Sequence, residues 1–399
     1  SSLPSFTSIK TPSGLDQQTH FGYRTLLSDS NDPLSLISLT KTIHKNDKLY
    51  YSEYTANNRT TVNTTPEGRT STAIYNDKGR IFEEKTPGIA PIYYQYDDIG
   101  RLAQMTQGSD GNKRITQFDY HPTTGFLELL TNALDQTIHF KHDAVGRIKQ
   151  MQSPGINTPL QTYFDHDLNG NVKLIQPPNR PNHLFSFTPL DTEKTYTAPS
   201  VVDVTRHFSE RFYNLENQLE KIVNADNQVI NFNYYPAGIS HGKLQSIDFL
   251  QGQLDFVYHP TTGQLATLKT ADNITLAYAY DGLLSLSEIM TGELSGSIAR
   301  TYNNDFNVET LSVNDQTITM SYDDDALLDS LQVQSSGLIY DIIRNPLNAQ
   351  LTETTFGNLK EGYQYNVFGE LSTQQVSKDG TNIPYIHKIK RDKLGRIET

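Results

Sequence analysis

One short pattern returns along most of this sequence at a nearly constant interval. It consists of an aromatic residue, polar residues, a glycine, a further polar residue and an aliphatic residue, as in YNDKGRI from Tyr75, YDDIGRL from Tyr96 and HDAVGRI from His142. From Tyr75 to His166 the pattern steps by 21, 24, 22 and 24 residues. Self-similarity at a period of about 20–50 residues is the signature of a repeat architecture. The chain is therefore predicted to be an array of one small unit.

The segment YHPTTG occurs twice without change, from Tyr120 and from Tyr258. Both copies occupy the slot in which neighbouring repeats carry YDDIG or HDAVG. The duplication is therefore interpreted as a recurring turn rather than as a duplicated binding site.

Each repeat is predicted to contain two short strands. Apolar or aromatic residues fall on every second position before the anchors, as at Ile138, Phe140 and His142. A period of two is typical of half-buried strands. Only 36% of the residues are hydrophobic, yet 23 tyrosines and 17 phenylalanines are present, a mixture that favours strand faces over helices. The predicted fold class is all-β: tandem β-hairpins of about 22 residues, with strands of five to seven residues.

The array is predicted to be a single unit that covers residues 1–399. The repeats are loose over residues 1–59 and clear over residues 60–399, with an irregular stretch at residues 180–210. Because an isolated hairpin is marginally stable in water, neighbouring hairpins are expected to pair into one continuous sheet.

The repeated residues are predicted to be structural anchors. The aromatic residue ends one strand, the aspartate or His-Pro pair opens a turn, glycine provides a positive φ, and the arginine pairs with a turn acid of its own or a neighbouring repeat. These anchors are Tyr75, Gly79, Arg80, Tyr96, Asp97, Gly100, Arg101, Tyr120, Gly125, Asp143, Gly146, Arg147, Tyr213, Tyr234, Tyr258, Gly263, Tyr280, Asp281, Tyr302, Tyr322, Asp323, Tyr365, Gly369, Gly395 and Arg396.

Charge and composition limit the classes of partner. A net charge of -12 and a pI near 5.4 argue against nucleic acid or an anionic membrane surface as the main partner. The absence of cysteine excludes disulfides, thiolate nucleophiles and Cys-type zinc sites. No apolar run approaches the ~18 residues that a membrane span needs, and the first residues do not resemble a signal peptide. No cofactor is predicted.

Ser240 is the one candidate nucleophile. It lies in Gly238-Ile239-Ser240-His241-Gly242, which matches G-x-S-x-G, but a nucleophile elbow requires a helix after the turn, and LQSIDF from Leu244 is strand-like. The segment also aligns with the anchor turns of its neighbours, so a long hairpin loop is the preferred interpretation.

Three further groups of residues are candidates for catalysis or binding. His121 and His259 each precede proline in equivalent turns, while His139 and His142 have opposite strand parity, so no metal site is predicted from these histidines. The acidic runs at residues 97–98 and 323–325 lack the D-x-D-x-D-G spacing of a calcium loop and are interpreted as turn residues. The recurring tyrosines could form a carbohydrate platform, although regular recurrence favours sheet packing.

The motifs resemble those of the YD-repeat or RHS-repeat family, whose signature is Tyr-Asp followed by Gly-Arg-Leu or Gly-Arg-Ile. The resemblance rests on residues 96–102, on residues 142–148, and on Thr65-Pro66-Glu67-Gly68-Arg69 leading into Tyr75. It implies a β-sheet strip that winds into a hollow shell, as in bacterial Rhs toxins, insecticidal toxin-complex B and C components, wall-associated proteins and teneurins.

The resemblance implies a function without catalysis in this segment. The shell would enclose a C-terminal toxin or effector domain, alone or with a companion shell component, in a secreted, exported or cell-surface bacterial protein. The alternative, implied by teneurins, is an extracellular adhesion module that binds a glycan or a protein. Toxin-enclosing members end with an Asp-Pro-x-Gly motif, whereas the only Asp-Pro here is Asp32-Pro33. Together with a last repeat that stops at Ile397, this predicts a fragment of a longer polypeptide.

Overall fold

The computed structural model describes residues 5–200, 207–379 and 381–398, and within them the chain forms one β-sheet. The described residues contain 34 strands, no α-helix, and one 3₁₀ turn at Asp110–Asn112. The all-β prediction is confirmed. No helix among these residues is long and apolar enough to cross a bilayer.

The strands have the following bounds: β1 Phe6–Lys10, β2 Asp16–Leu27, β3 Leu36–Lys45, β4 Lys48–Thr55, β5 Thr60–Thr64, β6 Thr70–Tyr75, β7 Ile81–Thr86, β8 Ile89–Tyr96, β9 Leu102–Gln107, β10 Arg114–Tyr120, β11 Leu127–Thr131, β12 Thr137–His142, β13 Ile148–Ser153, β14 Leu160–His166, β15 Val172–Gln176, β16 His183–Phe187 and β17 Glu193–Thr197. The second half contains β18 Phe208–Tyr213, β19 Leu219–Val223, β20 Val229–Tyr234, β21 Leu244–Phe249, β22 Gly252–Tyr258, β23 Leu265–Lys269, β24 Thr275–Asp281, β25 Leu284–Thr291, β26 Gly296–Tyr302, β27 Val308–Val313, β28 Gln316–Tyr322, β29 Leu328–Val333, β30 Ile339–Arg344, β31 Leu351–Phe356, β32 Leu359–Tyr365, β33 Leu371–Lys378 and β34 Thr381–Lys388.

Each strand pairs antiparallel with the strand before it and the strand after it, from β1–β2 through β33–β34. The sheet is thus a single meandering strip whose hairpin turns lie along two long margins. The turns that follow even-numbered strands hold the repeated motif, and we call their side the anchor margin. The turns that follow odd-numbered strands form the opposite margin.

Strand lengths depart most from the sequence-based expectation at the N-terminus, whereas β4, β8, β25, β33 and β34 exceed it by one residue, with eight residues each. The prediction was five to seven residues, whereas β2 has 12 residues and β3 has 10. These two strands carry no glycine-arginine turn that would end them early, and their ladder continues through nine residue pairs. In the irregular stretch, residues 180–210, the described part contributes β16, β17 and the start of β18 to the sheet, and residues 201–206 lie outside the described residues. Phe187 takes the place of the anchor tyrosine there, and Asp191 takes the place of glycine with φ 60°.

A β-bulge recurs beside the anchor aromatic residue. The register shifts between Gln95 and Tyr96, and the same shift occurs at His142 and at Tyr322. The bulge places Tyr96 opposite Leu102, the aliphatic residue that begins the next strand. Because a bulge bends its strand and increases the local twist, bulges at one margin of successive hairpins favour a strip that coils in one sense.

The two faces of the strip differ in chemistry. The anchor tyrosines share a face with residues such as Ile318 and Met320, which are half-buried. The other face carries short polar side chains that bond across strands, for example Thr301 to Thr310 at 2.8 Å and Ser321 to Ser330 at 2.8 Å. These cross-strand pairs stabilise the ladder without a covering layer.

The strip has no conventional hydrophobic core. No hydrophobic side chain of the described residues is fully buried, and the accessible surface is 24691 Å². A compact monomer of 45.0 kDa would expose about 16,000 Å². A single-layer sheet open on both faces accounts for the difference.

Candidate functional site

Two sets of contacts determine what this strip can do: those that join each repeat to the next, and those that join distant turns where the strip coils back on itself. We call the second set the seam. The seam is built on the turns of the repeats.

The anchor tyrosines lie at the ends of even-numbered strands, and most reach back to the preceding repeat. The Tyr96 hydroxyl donates to the carbonyl of Ile81 at 2.8 Å, and the Tyr322 hydroxyl donates to the carbonyl of Val308 at 2.9 Å. Each acceptor is the aliphatic residue that begins the second strand of the previous repeat. Five further anchor tyrosines bond a backbone carbonyl at the start of the previous repeat's second strand at 2.7–2.9 Å, with Glu193 and Ser285 as acceptors in two cases: Tyr120, Tyr213, Tyr234, Tyr302 and Tyr365.

Arginine replaces tyrosine at two anchor positions and reaches the same carbonyl. Arg391 donates from Nη2 to the Leu371 carbonyl at 3.2 Å, and Arg344 donates to the Leu328 carbonyl at 3.4 Å. The bond therefore needs only a donor that can reach one repeat back, and arginine supplies it as well as tyrosine does. Burial raises the pKa of Tyr322, Tyr234 and Tyr365, so these hydroxyls, which are protonated at neutral pH in any case, keep their donating proton to higher pH than an exposed tyrosine does.

The remaining predicted anchor tyrosines also lie at the anchor margin. Tyr75 ends β6 and packs edge-on against Tyr54, with ring centroids 6.2 Å apart. Tyr258 ends β22 against Tyr235 at 5.9 Å, and the Tyr235 hydroxyl donates to the Phe256 carbonyl at 2.8 Å. Tyr280 lies one residue before the end of β24.

Turn acids and arginines form ion pairs within the turns. Asp97 accepts from the Arg101 backbone N–H at 2.8 Å and from Arg101 Nε at 2.7 Å. Asp143 does the same with Arg147, and Asp392 does so with Arg396. At Asp143 partial desolvation opposes the shift, but the hydrogen bonds from Arg147 lower the pKa to about 2. Arg80 differs from the expectation, since its guanidinium lies 5.5 Å from the centre of the Tyr96 ring.

The residue after the turn glycine also joins consecutive repeats. Arg101 Nη1 donates to the Gly125 carbonyl in the next anchor turn at 3.0 Å, and the Arg101 guanidinium stacks 4.1 Å from the Tyr120 ring centre. Sequence reasoning missed that the bond does not require arginine. Gln218, Gln264 and Gln350 donate in the same way to the carbonyls of Gly242, Gly282 and Gly369 at 2.7–3.0 Å. The sequence feature that indicates this bond is a long side chain with an N–H donor, arginine or glutamine, at the position that follows the turn glycine in the motif.

The seven predicted turn glycines, Gly79, Gly100, Gly125, Gly146, Gly263, Gly369 and Gly395, all have positive φ. The space available for a Cβ atom differs between these glycines. A Cβ on Gly146 would lie 2.8 Å from the Phe126 ring, whereas a Cβ on Gly79 would meet nothing within 4 Å.

We expect Gly79→Ala to lose about 1–2 kcal/mol, because an L-residue is strained in the left-handed region. Gly146→Ala should lose more, since Phe126 must also move. Urea unfolding of the two variants measures the difference. Equal losses would mean that the aromatic contact at Gly146 is too loose to matter.

Removal of one hydroxyl group tests the hydrogen bond between an anchor tyrosine and the preceding repeat. Tyr322→Phe should lose about 1 kcal/mol, because the Val308 carbonyl keeps its place in the sheet but loses a donor. Tyr23→Phe, at a side chain that is 45% exposed, is the matched control and should change stability little. Identical midpoints in urea would contradict a coupling role for the anchor hydroxyl.

The seam begins where β24 ends. Asp281, which is 3% exposed, accepts from the Ser13 backbone N–H at 2.8 Å and from the Ser13 hydroxyl, across a separation of 268 residues. Burial alone would raise the pKa of Asp281, but bonds from Ser13 and Thr11 outweigh it and the pKa is lowered. The anchor turn after β24 thus packs on the opposite-margin turn after β1.

Further pairs of turns follow in the same order. The turn after β26 meets the turn after β3 through an ion pair of Asp305 with Lys48 at 2.9 Å. The turn after β30 meets the turn after β7, where Asn348 Nδ2 donates to the Pro87 carbonyl at 3.0 Å. The strip has therefore coiled until its anchor margin lies on its own opposite margin.

Arg69 makes the most enclosed ion pair of the seam. Its guanidinium pairs with Asp323 at 2.8 Å and with Asp325, and its side chain is 11% exposed. The Asp324 backbone N–H donates to Glu67 at 3.0 Å beside it. Gly68-Arg69 resembles an anchor motif in the sequence, but this turn lies on the opposite margin after β5. Asp323 also accepts from the Leu327 backbone N–H within its own turn at 2.8 Å.

Arg114 and Glu370 close the last described pair of turns. Two parallel bonds of 2.7 and 2.8 Å join the guanidinium to the carboxylate, and the guanidinium lies 3.8 Å from the Phe368 ring centre. The hydrogen bond from Arg114 is the main cause of a lowered pKa at Glu370. The Val367 carbonyl accepts from the Ala90 backbone N–H at 2.7 Å in the same area.

Strained backbone accompanies the seam. Phe306, Ala326 and Ala349 have φ of 62–64° at turn positions where earlier repeats carry glycine or asparagine. Each lies in a turn that touches the first pass of the strip. An L-residue remains in this conformation only where its surroundings hold it there.

Within the described part of the chain, the serine and the histidines that the sequence offers as candidate sites have structural roles in loops, turns and strands. Ser240 lies in the hairpin loop between β20 and β21, with a strand and not a helix after it. His121 Nδ1 accepts from the backbone N–H of Thr124 at 3.2 Å and so opens its turn, while His142 packs on Phe126 at 5.3 Å and His139 is exposed. No group of three metal-binding side chains is present in the described part of the chain.

Known protein families and solved structures include matches to this fold. A sequence profile of the Teneurin YD-shell matches residues 9–399. No curated protein sequence matches. The crystal structure of TcdB2-TccC3-TEV is similar with a TM-score of 0.60 and 12% identity, over 93% of this chain and 23% of that one. The crystal structure of TcdB2-TccC3 is similar with a TM-score of 0.55 and 13% identity, over 94% of this chain and 23% of that one. This chain thus spans less than a quarter of either, shares their fold, and belongs to the Teneurin YD-shell family.

Proposed function

We propose that this array is a non-catalytic wall segment of a YD shell, and that the shell encloses a C-terminal toxin or effector domain until delivery. The observation that supports the proposal is the seam. A single-layer sheet that coils back and bonds margin to margin forms a wall around a space, and the exposed surface of 24691 Å² fits an open interior.

The wall would act by exclusion. Proteases need extended, accessible backbone, and here the backbone of each strand is bonded to both neighbours while the turns of successive passes are bonded across the seam. A domain inside would be sheltered without any specific contact to the wall. In this proposal the repeat anchors serve stability, and the protein is exported or displayed at the cell surface.

Limited proteolysis of the full-length polypeptide, including its enclosed domain, tests enclosure. In the wild type the enclosed domain should stay uncut, whereas Arg69→Met, which opens the seam, should allow its cleavage at least tenfold faster. Arg396→Met, which removes an exposed ion pair with Asp392, is the matched control. Equal cleavage of the enclosed domain in the wild type and in Arg69→Met would overturn enclosure.

A recognition module is the second candidate, and one groove on the polar face favours it. Phe82 is 46% exposed and stacks edge-on with Tyr93 at 6.4 Å, beside Gln95, Gln104 and Thr106. Aromatic rings beside amide and hydroxyl groups are suited to sugar rings. Binding to a glycan array that is lost in Phe82→Ala would support recognition, and absence of binding by the wild type would reject it.

A further inference from the structure

Two histidines lie directly opposite each other on adjacent strands. His20 of β2 pairs with His44 of β3 in the antiparallel register, and both side chains are exposed. No other histidine in the described strands lies opposite a second one. The register from Tyr75 through β5 and β4 places the pair on the polar face, opposite to the anchor tyrosines. Directly opposite residues project to the same face with Cβ atoms roughly 5 Å apart, so the two imidazoles share one small patch.

This separation suits a single metal ion between two imidazoles. Neutral imidazole is the commonest side-chain nitrogen ligand of zinc and copper, with Zn–N distances of about 2.0–2.1 Å. Two rings whose Cβ atoms are roughly 5 Å apart can each turn one nitrogen towards a shared ion. Among the divalent first-row ions, copper(II) binds nitrogen sites most tightly. An ion held by two side chains keeps further coordination positions for water or an incoming ligand.

An apolar residue flanks the pair on each side within the same row of the sheet. Phe6 lies opposite His20 on β1, with ring centroids 4.6 Å apart, and Leu49 lies opposite His44 on β4. These side chains shield both flanks of the pair from water in part, and an apolar surrounding strengthens the attraction between a cation and its ligands. Because a strand lies on either side, the pair belongs to the interior of the sheet and not to its edge.

One polar group on the same face can orient an imidazole. Gln18 precedes His20 by two residues and therefore projects to the same face. Its Nε2 donates to Asp16 Oδ2 at 2.9 Å, which leaves its carbonyl oxygen as an acceptor. A metal-bound imidazole generally donates its second N–H to a carboxylate, a carbonyl or water. Gln18 is therefore the candidate acceptor for the remaining N–H of His20.

The pair also lies beside the seam. Asn46, two residues after His44, donates from its backbone N–H to the Gln18 carbonyl at 2.8 Å and from its side chain to the Asn304 carbonyl at 3.2 Å. Lys48 in the same hairpin forms the ion pair with Asp305. A metal ion bound across the two histidines would hold β2 and β3 in register next to the residues that make these contacts.

We infer that His20 and His44 form a binding site for one divalent late transition-metal ion, copper or zinc, on the polar face of the wall. The ion would join β2 to β3 beside the seam and present its open coordination positions to ligands on that face. The pair has no sequence signature, because its members lie on different strands and meet only through the register. The site is independent of the proposed enclosure, so either can fail without the other.

Copper(II) titration of the untagged chain tests the site. Calorimetry should give one high-affinity ion per chain for the wild type, and electron paramagnetic resonance should show two imidazole nitrogens on the bound ion. His20→Gln and His44→Gln should each weaken binding at least tenfold and remove the two-nitrogen signature. Zinc should raise the melting temperature of the wild type but not of these variants. Because both side chains are exposed, the substitutions should leave the fold intact.

Two controls distinguish the pair from any exposed histidine. His139→Gln removes an exposed histidine that lies opposite Leu129 and Gln152, and should leave copper binding unchanged. His44→Lys combined with Lys45→His keeps the composition but moves the imidazole to the other face of β3, and should bind as weakly as His44→Gln. The inference is overturned if either single variant or the face-swapped variant binds copper as tightly as the wild type, if His139→Gln loses as much affinity as His44→Gln, or if the wild-type spectrum shows only one nitrogen.

Discussion

Replacing Arg69 with methionine should open the coil. The side chain is 11% exposed and lies between Asp323 and Asp325, so its loss leaves two carboxylates close together without a cation. Removing one member of an enclosed ion pair costs about 2–4 kcal/mol, much of it from the stranded partner. Burial lowers the pKa of Arg69, but its bonds to the two aspartates outweigh that effect and the pKa is raised.

The expected result is a change of shape as well as of stability. Small-angle scattering should show a larger maximum dimension for Arg69→Met, while the circular dichroism of the sheet is retained because each strand keeps its neighbours. Arg396→Met removes an arginine whose side chain is 62% exposed, paired only within its own turn, and should leave both quantities unchanged. Unaltered scattering in Arg69→Met would mean that other contacts hold the seam without it.

A fall in pH should lower the stability of the seam and of the anchor turns. Asp281 and Glu370 at the seam, and Asp143 within a turn, all have a lowered pKa in the folded chain, to about 2 for Asp143. A carboxyl whose pKa is lowered by folding stabilises the fold above its ordinary value of about 4. That contribution is lost as the pH falls through the folded value, because the unfolded chain takes up protons more readily.

We therefore expect the melting temperature to be steady from about pH 7 to pH 5 and to fall steeply between about pH 4 and pH 2. Asp281→Asn keeps an acceptor for Ser13 but cannot titrate, so part of the acid sensitivity of the seam should disappear in this variant. Calorimetry across the pH range measures both effects. A melting temperature that rises on acidification would contradict the assignment of these carboxylates.

The regular part of the fold could be predicted because its information is local. Period-two alternation at Ile138, Phe140 and His142 sets the strand, and Asp143 with Gly146 sets the turn that follows. These signals lie within a few residues of each other, so one sequence suffices to place them. The unusual strand lengths at β2 and β3 were missed because they depend on how far two strands continue to pair.

The seam could not be predicted from the sequence. Arg69 and Asp325 are 256 residues apart, and which turns meet depends on the curvature summed over all the strands between them. A small change in twist per strand would shift the register of the whole second pass. The sequence predicts turn acids at residues 323–325 and a repeat motif at Arg69, because no residue near either one indicates the other. The partner of a cation in a coiled strip is set by global geometry.

A distance across the seam tests the coil directly. The chain has no cysteine, so Glu67→Cys and Asp324→Cys accept spin labels at two turns that touch, where the Asp324 backbone N–H meets the Glu67 carboxylate at 3.0 Å. If the strip coils as described, pulsed electron paramagnetic resonance will give one narrow, short distance. A flat strip would separate these turns by roughly 110 Å, at about 4.8 Å per strand, beyond the range of the method. A broad distribution, or no measurable dipolar coupling, would contradict the coiled wall.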